Sequence, residues 1–121
     1  MEAKLRLTRR KDFSAVFRDG HVWGNRLLAV RAGANGLDHN RYGFIISKRL
    51  GKAVVRNKIR RRLKEGIRSQ PTRPGWDVVV SARPSAAQAN FQELRASVSK
   101  LLGQAGILGP PTVAGRQERS S

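Results

Sequence analysis

The hydrophobic residues of this sequence follow two spacings, one typical of helices and one typical of strands. The longest helix is predicted over residues 53–68, where apolar residues recur every fourth position and form one face that packs. These residues are Val55, Ile59, Leu63 and Ile67. The helix is predicted to end before Pro71 and Pro74, because proline cannot continue it.

Two further helices are predicted on either side of it. The first covers residues 9–18, with Thr8 as its N-cap and Gly20 as its C-terminal stop. The last ends near Leu102, carries an apolar stripe that docks on a sheet, and is predicted to begin with a capping box in residues 85–88.

Three segments have the alternation and composition of strands. They are residues 26–32, 41–47 and 76–82, and the sequence leaves open a further short strand at Val22 and Trp23. Residues 33–40 are predicted to form a turn. The order helix, two or three strands, helix, strand, helix predicts an α/β (α+β) sandwich in which helices cover a mixed sheet.

The length and composition indicate one domain. A chain of 121 residues with 39% hydrophobic content can bury one small core. Residues 1–108 are interpreted as this single domain, and residues 109–121, which lack apolar periodicity, are predicted to be a disordered tail.

The strongest compositional signal is positive charge. The chain has 25 Lys and Arg against 8 Asp and Glu, a formal net charge of +17, and most of the excess lies in residues 1–68. In the predicted long helix, Asn57, Arg60, Arg61, Lys64 and Arg68 gather opposite the apolar face. Guanidinium groups bind phosphate oxygens with paired N–H donors, so a nucleic acid is the expected partner. The alternative for such a charge run is a solvated face without a ligand.

Other chemistry is poorly supported. The absence of Cys excludes disulfides, thiolate catalysis and zinc ribbons. His21 and His39 stand alone, and no acid/base pair or nucleophile motif is evident, so neither a catalytic residue nor a metal site is predicted in the protein. No apolar run approaches the roughly 18 residues of a membrane span, and no secretory signal is evident, so we expect a cytoplasmic protein without a membrane partner.

Residues 50–65, with the sequence Leu-Gly-Lys-Ala-Val-Val-Arg-Asn-Lys-Ile-Arg-Arg-Arg-Leu-Lys-Glu, resemble the arginine-rich helix of the bacterial ribonuclease P protein component. The similarity covers about residues 5 to 102 and includes six other short stretches. They are Asp12-Phe13 with Val16-Phe17, Gly43-Phe44 with Ser47-Lys48, Asp77 to Val80, and Ala82-Arg83-Pro84.

The resemblance implies a specific topology and activity. The order would be α-β-β-β-α-β-α, with a left-handed βαβ crossover through the cationic helix, as in the second domain of ribosomal protein S5. The chain would be the protein subunit of a ribonucleoprotein that removes the 5′ leader from precursor tRNA by endonucleolytic phosphodiester hydrolysis. The catalytic centre would consist of RNA and Mg²⁺ bound mainly by that RNA. No protein oligomer is implied.

The resemblance also implies two binding surfaces. The catalytic RNA would be contacted by Arg56, Asn57, Lys58, Arg60, Arg61, Lys64 and Arg68, and the single-stranded leader by Phe13, Phe17, Lys48 and Arg49. Two departures from the family pattern concern these surfaces. Lys58 stands where Arg is common, and the strand over residues 26–32 lacks an aromatic residue that some members turn into the leader cleft.

Alternatives remain open from the sequence. A ribosomal or general RNA-chaperone protein would bind RNA without depending on a leader, and a helix-turn-helix protein would bind DNA. Phe13 and Phe17 can also belong to the core rather than to a binding surface.

Overall fold

The computed structural model describes residues 5–109 of the chain. Its elements, in chain order, are α1 (Arg10–Asp19), β1 (His21–Gly24), β2 (Leu28–Ala34), β3 (Arg41–Ile45), α2 (Ala53–Arg68), β4 (Trp76–Ala82) and α3 (Phe91–Gln104). The predicted fold class and element order are confirmed, including the short strand at Val22 and Trp23. The predicted disordered tail falls on residues that, apart from Gly109, lie outside the described part of the chain.

The sheet is mixed and has the strand order β1-β2-β4-β3. β2 pairs antiparallel with both β1 and β4, whereas β3 pairs parallel with β4. Two parallel neighbours need a crossover connection, and α2 provides it between β3 and β4. β4 is therefore a central strand, which explains its run of Val78, Val79 and Val80, all fully buried.

The larger core lies on one face of the sheet, under α2 and α3. Val78 and Val80 of β4 point to this face, where they share a hydrophobic cluster with residues of both helices. The helix residues include Ile59, Leu63 and Ile67 of α2 and Leu94, Val98 and Leu101 of α3, all buried. Burial of one such side chain stabilises the fold by about 1.5–3 kcal/mol, so this cluster fixes how α2 is rotated on the sheet.

The opposite face of the sheet is partly covered by α1. Val79 points to this side and packs with Leu7 and Val16, with Phe13 against them. Gly20 ends α1 as predicted, although its φ of −83° is not left-handed. A Cβ at Gly20 would lie 2.5 Å from the carbonyl oxygen of Val16, so the glycine is required by close approach of the backbone.

An ionic cluster joins α1 to the edge of the sheet. Arg41 of β3 donates from Nε and Nη2 to the two carboxylate oxygens of Asp77, at 2.8 and 2.7 Å. Its Nη1 donates to Asp12 of α1 at 3.5 Å. Asn35 donates to Asp77 at 3.0 Å, so the buried carboxylate has donors on both oxygens. We call Asp12, Arg41 and Asp77 the Arg41 cluster.

Several predicted boundaries are wrong because side chains bind the backbone locally. β2 begins at Leu28 rather than at residue 26, since the Asn25 side chain accepts hydrogen bonds from the amides of Leu27 and Leu28 and holds a turn there. β2 then continues to Ala34, into the predicted turn. β3 stops at Ile45 rather than at residue 47, because Ser47 caps a short 3-10 helix, Lys48–Leu50.

Both predicted helix caps are also wrong. Arg9, not Thr8, occupies the N-cap of α1, and no side chain caps that helix. The capping box of α3 is formed by Asn90 and Glu93, directly before the apolar stripe of the helix. The predicted box at residues 85–88 falls in a 3-10 helix that begins with Pro84, whose fixed φ suits such a turn.

We expect Asn90→Ala to lower the free energy of unfolding by about 1 kcal/mol, because its side chain accepts from the amide of Glu93 at 2.8 Å. Ser85 is the cap residue predicted from the sequence, so Ser85→Ala is the matched control. It should change the free energy of unfolding by less than about 0.5 kcal/mol. Urea unfolding followed by circular dichroism measures both. A larger loss for Ser85→Ala would contradict the observed cap.

Candidate nucleic-acid interface

The predicted division of α2 into two faces is present in the structure. Ile59, Leu63 and Ile67 are buried, and Val55 is partly buried against the same core. Asn57, Lys58, Arg61 and Arg68 are exposed. Four of the seven residues of the predicted catalytic-RNA surface are therefore accessible, and the other three, Arg56, Arg60 and Lys64, are half-buried.

The cations of α2 are mostly free of carboxylates. Within residues 5–109, only Arg68 of this helix forms an ion pair, with Glu65 at 3.3 Å on the surface, and such exposed pairs are weak. Arg60 donates to Asn57 Oδ1 at 2.9 Å, and Arg56 to the carbonyl of Gly51 at 3.1 Å. Neutral acceptors such as these orient the guanidinium groups without cancelling their charge. The positive field of the helix is thus retained.

The cationic residues of α2 do not all face the solvent freely. Arg62 donates to the carbonyl oxygen of Ala89 at 2.9 Å and ties α2 to the segment before α3. This contact gives Arg62 a structural role. Lys64 is half-buried, with its Nζ 6.0 Å from the ring centroid of Phe44.

The start of α2 adds positive potential to the same surface. Lys52 is its N-cap and provides no side-chain hydrogen bond to the helix. The first amides of a helix have no partner within the helix, and the helix dipole is positive at this end. Together with the cationic side chains, these groups suit a phosphate.

Phe13 and Phe17, the predicted leader-binding aromatics, have different environments. Phe13 is partly buried against Leu7, Val16 and Val79, and its ring lies close to the backbone at Gly43. Phe17, one turn later, keeps 42% of its surface exposed. Phe13 is therefore mainly a packing residue, and Phe17 is available to a ligand.

Arg31 is a candidate residue that sequence reasoning missed. Its guanidinium carbon lies 4.6 Å from the ring centroid of Phe17, a cation–π contact. Pairing of Arg31 with Val79 and Val22 places it on the α1 side of the sheet. Alternation along β2 could have placed Arg31 on that side, but its contact with Phe17 depends on how α1 packs. β2, which contains no aromatic residue, thus presents a guanidinium group on this side of the sheet.

Lys48 and Arg49, the other predicted leader contacts, are exposed in the 3-10 helix after β3. The pairs Ile45–Ser81 and Leu28–Ala82 place the end of β3 at the same end of the sheet as the end of β4. Arg83 follows β4 directly, so it belongs to the same end and is a further cation near the predicted leader surface.

Asp12 of α1 and Asp77 of β4 are already bound to Arg41. Side-chain hydrogen bonds to Asp77 raise the pKa of Arg41 above its usual value, while burial lowers it. The Arg41 cluster therefore places a fixed cation between Asp12 and Asp77, where a metal ion would otherwise need to lie. Residues 5–109 contain no group of three or more His, Asp or Glu side chains arranged to hold a metal.

None of the described helices is long and apolar enough to cross a membrane.

Comparison with known sequences gives the family. The family model described as Ribonuclease P matches residues 1–106. The ribonuclease P protein component of Dehalococcoides mccartyi is 41% identical over 108 residues, which are 89% of this chain and 90% of the relative. That of Roseiflexus castenholzii is 42% identical over 111 residues, 89% of this chain and 91% of the relative. This chain belongs to the ribonuclease P protein family.

Solved ribonuclease P proteins have the same fold. The Staphylococcus aureus protein superposes with a TM-score of 0.79 and 30% sequence identity, covering 87% of this chain and 98% of that chain. The Thermotoga maritima protein gives a TM-score of 0.74 and 31% identity, covering 82% and 96%. The resemblance inferred from residues 50–65 is therefore confirmed. The RNA-binding roles of individual residues stay predictions.

The two aromatic residues of α1 in this ribonuclease P protein should differ in their effect on stability. Phe13→Ala should lower the free energy of unfolding by about 2–3 kcal/mol, somewhat less than for a fully buried ring. Phe17→Ala removes an exposed ring and one cation–π contact, so the loss should stay below about 1 kcal/mol. Urea unfolding of both variants measures the difference. Equal losses would mean that Phe17 belongs to the core.

Proposed function

We propose that this chain acts as the protein subunit of ribonuclease P by binding the catalytic RNA through α2 and the precursor tRNA leader through the Phe17 side of the sheet. Family membership makes it a component of the endoribonuclease ribonucleoprotein that processes the 5′ end of tRNA. The observation that carries the binding proposal is the cationic face of α2, whose aliphatic face is buried.

The α2 surface suits a folded RNA because it holds several cations in fixed relative positions. Arg56, Arg60, Arg61 and Lys64 lie on successive turns, and a helix advances about 5.4 Å per turn. Several phosphates bound in this way release counterions, which drives association at low salt. Asn57 can both donate and accept hydrogen bonds, so it is the candidate for contact with a base or a ribose.

The leader surface suits single-stranded RNA of variable sequence. Phe17 and the guanidinium plane of Arg31 form one stacking unit, and every nucleobase has a face that can stack on it. Lys48 and Arg49, both exposed, would contact leader phosphates. Exposed Ile45 lies on the same side of the sheet and extends the apolar part of this surface.

We assign the hydrolytic chemistry to the RNA. When bound there, Mg²⁺ would activate a water molecule and stabilise the leaving oxygen. Within residues 5–109, the paired carboxylates of the Arg41 cluster are occupied by a guanidinium, so they do not fit a resident metal ion. The protein would instead reduce the repulsion between RNA phosphates and position the leader. Its place of action would be the cytoplasm, where bacterial tRNA precursors are processed.

Two features disfavour the DNA-binding alternative. α2 is preceded by β3 and a 3-10 helix of three residues, so it lacks the preceding helix of a helix-turn-helix unit. The apolar face of α2 is also covered by the sheet and α3. A general RNA-binding protein remains distinguishable by experiment, because its binding would not depend on a leader.

Reconstitution tests the proposed function directly. We expect the purified chain to increase leader removal from precursor tRNA by a bacterial catalytic RNA at a Mg²⁺ concentration where the RNA alone is nearly inactive. Asn57→Ala should reduce this increase. The position of the cut is mapped on a labelled precursor. No increase in cleavage at the mature 5′ end would contradict the subunit role.

Phe17→Ala should weaken binding of leader-containing precursor tRNA by about tenfold, because one base loses its stacking partner. Binding of mature tRNA, which has no leader, should stay within about twofold of wild type. Affinities are measured for the complex of the protein with the catalytic RNA. Val22→Ala is the matched control, since Val22 is an exposed apolar residue on β1 that pairs with Arg31 but offers no ring. Equal weakening for both tRNAs would remove Phe17 from the leader surface.

A further inference from the structure

A concave pocket of about 340 Å³ lies along the outer edge of β3. We call it the edge pocket. It is bounded by α1, by α2 and by residues 6–8, which we call the N-terminal segment. Its lining includes Arg6, Phe13, Gly43, Phe44, Arg60 and Lys64. Phe17 and Arg31 do not line it, so it is separate from the stacking unit of the proposed leader surface.

The edge pocket exists because β3 is an edge strand that is only partly covered. Within residues 5–109, the segment before α1 pairs with it at a single bridge between Arg6 and Tyr42, where the amide of Leu7 donates to the carbonyl of Tyr42 at 2.9 Å. The chain then turns into α1, which leaves the edge open beside Phe44. On the far side of this opening stands α2, with Arg60 and Lys64.

Gly43 lets the wall of the pocket form. A Cβ at this position would lie 2.5 Å from Cζ of Phe13, so the ring of Phe13 lies directly against the strand backbone. This close approach holds one aromatic ring at the pocket wall. Phe44, the next residue of the strand, provides a second ring.

The charge of the edge pocket is wholly positive. Arg6, Arg60 and Lys64 line it, and no carboxylate within residues 5–109 does. Arg6 is exposed and forms no ion pair within residues 5–109. Lys64 has its ammonium group 6.0 Å from the ring centroid of Phe44, and the Arg60 guanidinium is held by Asn57. The cations therefore lie beside the aromatic rings of Phe13 and Phe44.

Cations around aromatic rings match the two parts of a nucleotide. A phosphate binds guanidinium and ammonium groups, and a base stacks on an aromatic face. The volume lies at the small end of the range of about 300–1,000 Å³ for ligand pockets, which suits one unpaired nucleotide and excludes a duplex. An unpaired base is also the form in which RNA offers its face to a protein side chain.

We propose that the edge pocket binds one unpaired nucleotide of the catalytic RNA, with its base against Phe44 and its phosphate between Arg6, Arg60 and Lys64. The inference rests on the proposed function. The catalytic RNA is the expected source because two of the three cations belong to α2, the helix that faces that RNA. The nucleotide thereby links the N-terminal segment to the docking helix.

Arg6→Ala and Phe44→Leu test the pocket, with Arg9→Ala as the matched control. Arg9 is an exposed cation three residues from Arg6 that does not line the pocket, and its side chain does not cap α1. Affinity for a bacterial catalytic RNA is titrated in the absence of tRNA. Phe44→Leu should weaken binding about tenfold through the lost stacking. Arg6→Ala should make the slope of log affinity against log salt shallower by about one unit. Arg9→Ala should change affinity by about twofold at most.

Chemical probing of the catalytic RNA provides a second readout. One unpaired nucleotide should be protected in the wild-type complex and reactive in complexes of Arg6→Ala and Phe44→Leu, while Arg9→Ala retains the protection. Urea unfolding checks that Phe44→Leu remains folded. Arg6→Ala removes an exposed side chain, so it tests the pocket even if Phe44→Leu is destabilised.

Arg61→Ala separates failure of this inference from failure of the proposed function. If Arg61→Ala weakens RNA binding while Arg6→Ala and Phe44→Leu behave like Arg9→Ala, the edge-pocket inference is overturned and the α2 interface stands. If Arg61→Ala also binds like wild type, the α2 interface itself is wrong. If Arg6→Ala and Phe44→Leu lose affinity only for leader-containing precursor tRNA, the pocket holds a leader nucleotide, and the catalytic-RNA assignment is overturned.

Discussion

Packing of the aliphatic face of α2 onto the sheet and α3 is the contact on which both the fold and the binding surface depend. Ile59, Leu63 and Ile67 are buried in the larger core. Because successive residues are about 100° apart around a helix, burying these three fixes where every other side chain of α2 points. A rotation by one residue would bury cations without partners, at a cost far above the gain from any exposed contact. The core therefore determines which side of α2 is available to the proposed RNA partner.

The sheet separates the two proposed RNA surfaces and also connects them. α2 and α3 cover one face, whereas α1 lies on the other and leaves Phe17 and Arg31 accessible. The Arg41 cluster ties α1 to the edge of the sheet and so sets the position of Phe17 relative to the strands. At the edge of β3 the two faces meet, and the edge pocket lies there. One RNA assembly could thus contact the protein continuously from α2 to the leader surface.

Four acidic residues within residues 5–109 are paired with arginines, which limits how far they weaken the positive field near the proposed RNA surfaces. Asp12 and Asp77 are bound to Arg41, and Glu65 pairs with Arg68 at the far end of α2. The exposed pair contributes little to stability. The more buried Arg41 cluster fixes local geometry, because removal of one partner would leave an uncompensated charge in a partly dry environment. A formal charge of +17 is then available for association with a polyanion.

The sequence by itself determined the faces of α2 and the order of elements, because these follow from periodicity and spacing within single segments. It indicated the family through the resemblance carried by residues 50–65. It also indicated Phe13 and Phe17, but not that Phe13 mainly packs and Phe17 is exposed. Only the tertiary structure decided the ends of β2 and β3, since Asn25 and Ser47 bind nearby amides that periodicity does not reveal. The contact of Arg31 with Phe17 and the edge pocket also required it, because each joins residues distant in the chain. The spacing of apolar and polar residues within a segment predicts its secondary structure. The contact of Arg31 with Phe17 and the edge pocket depend instead on how segments pack against one another.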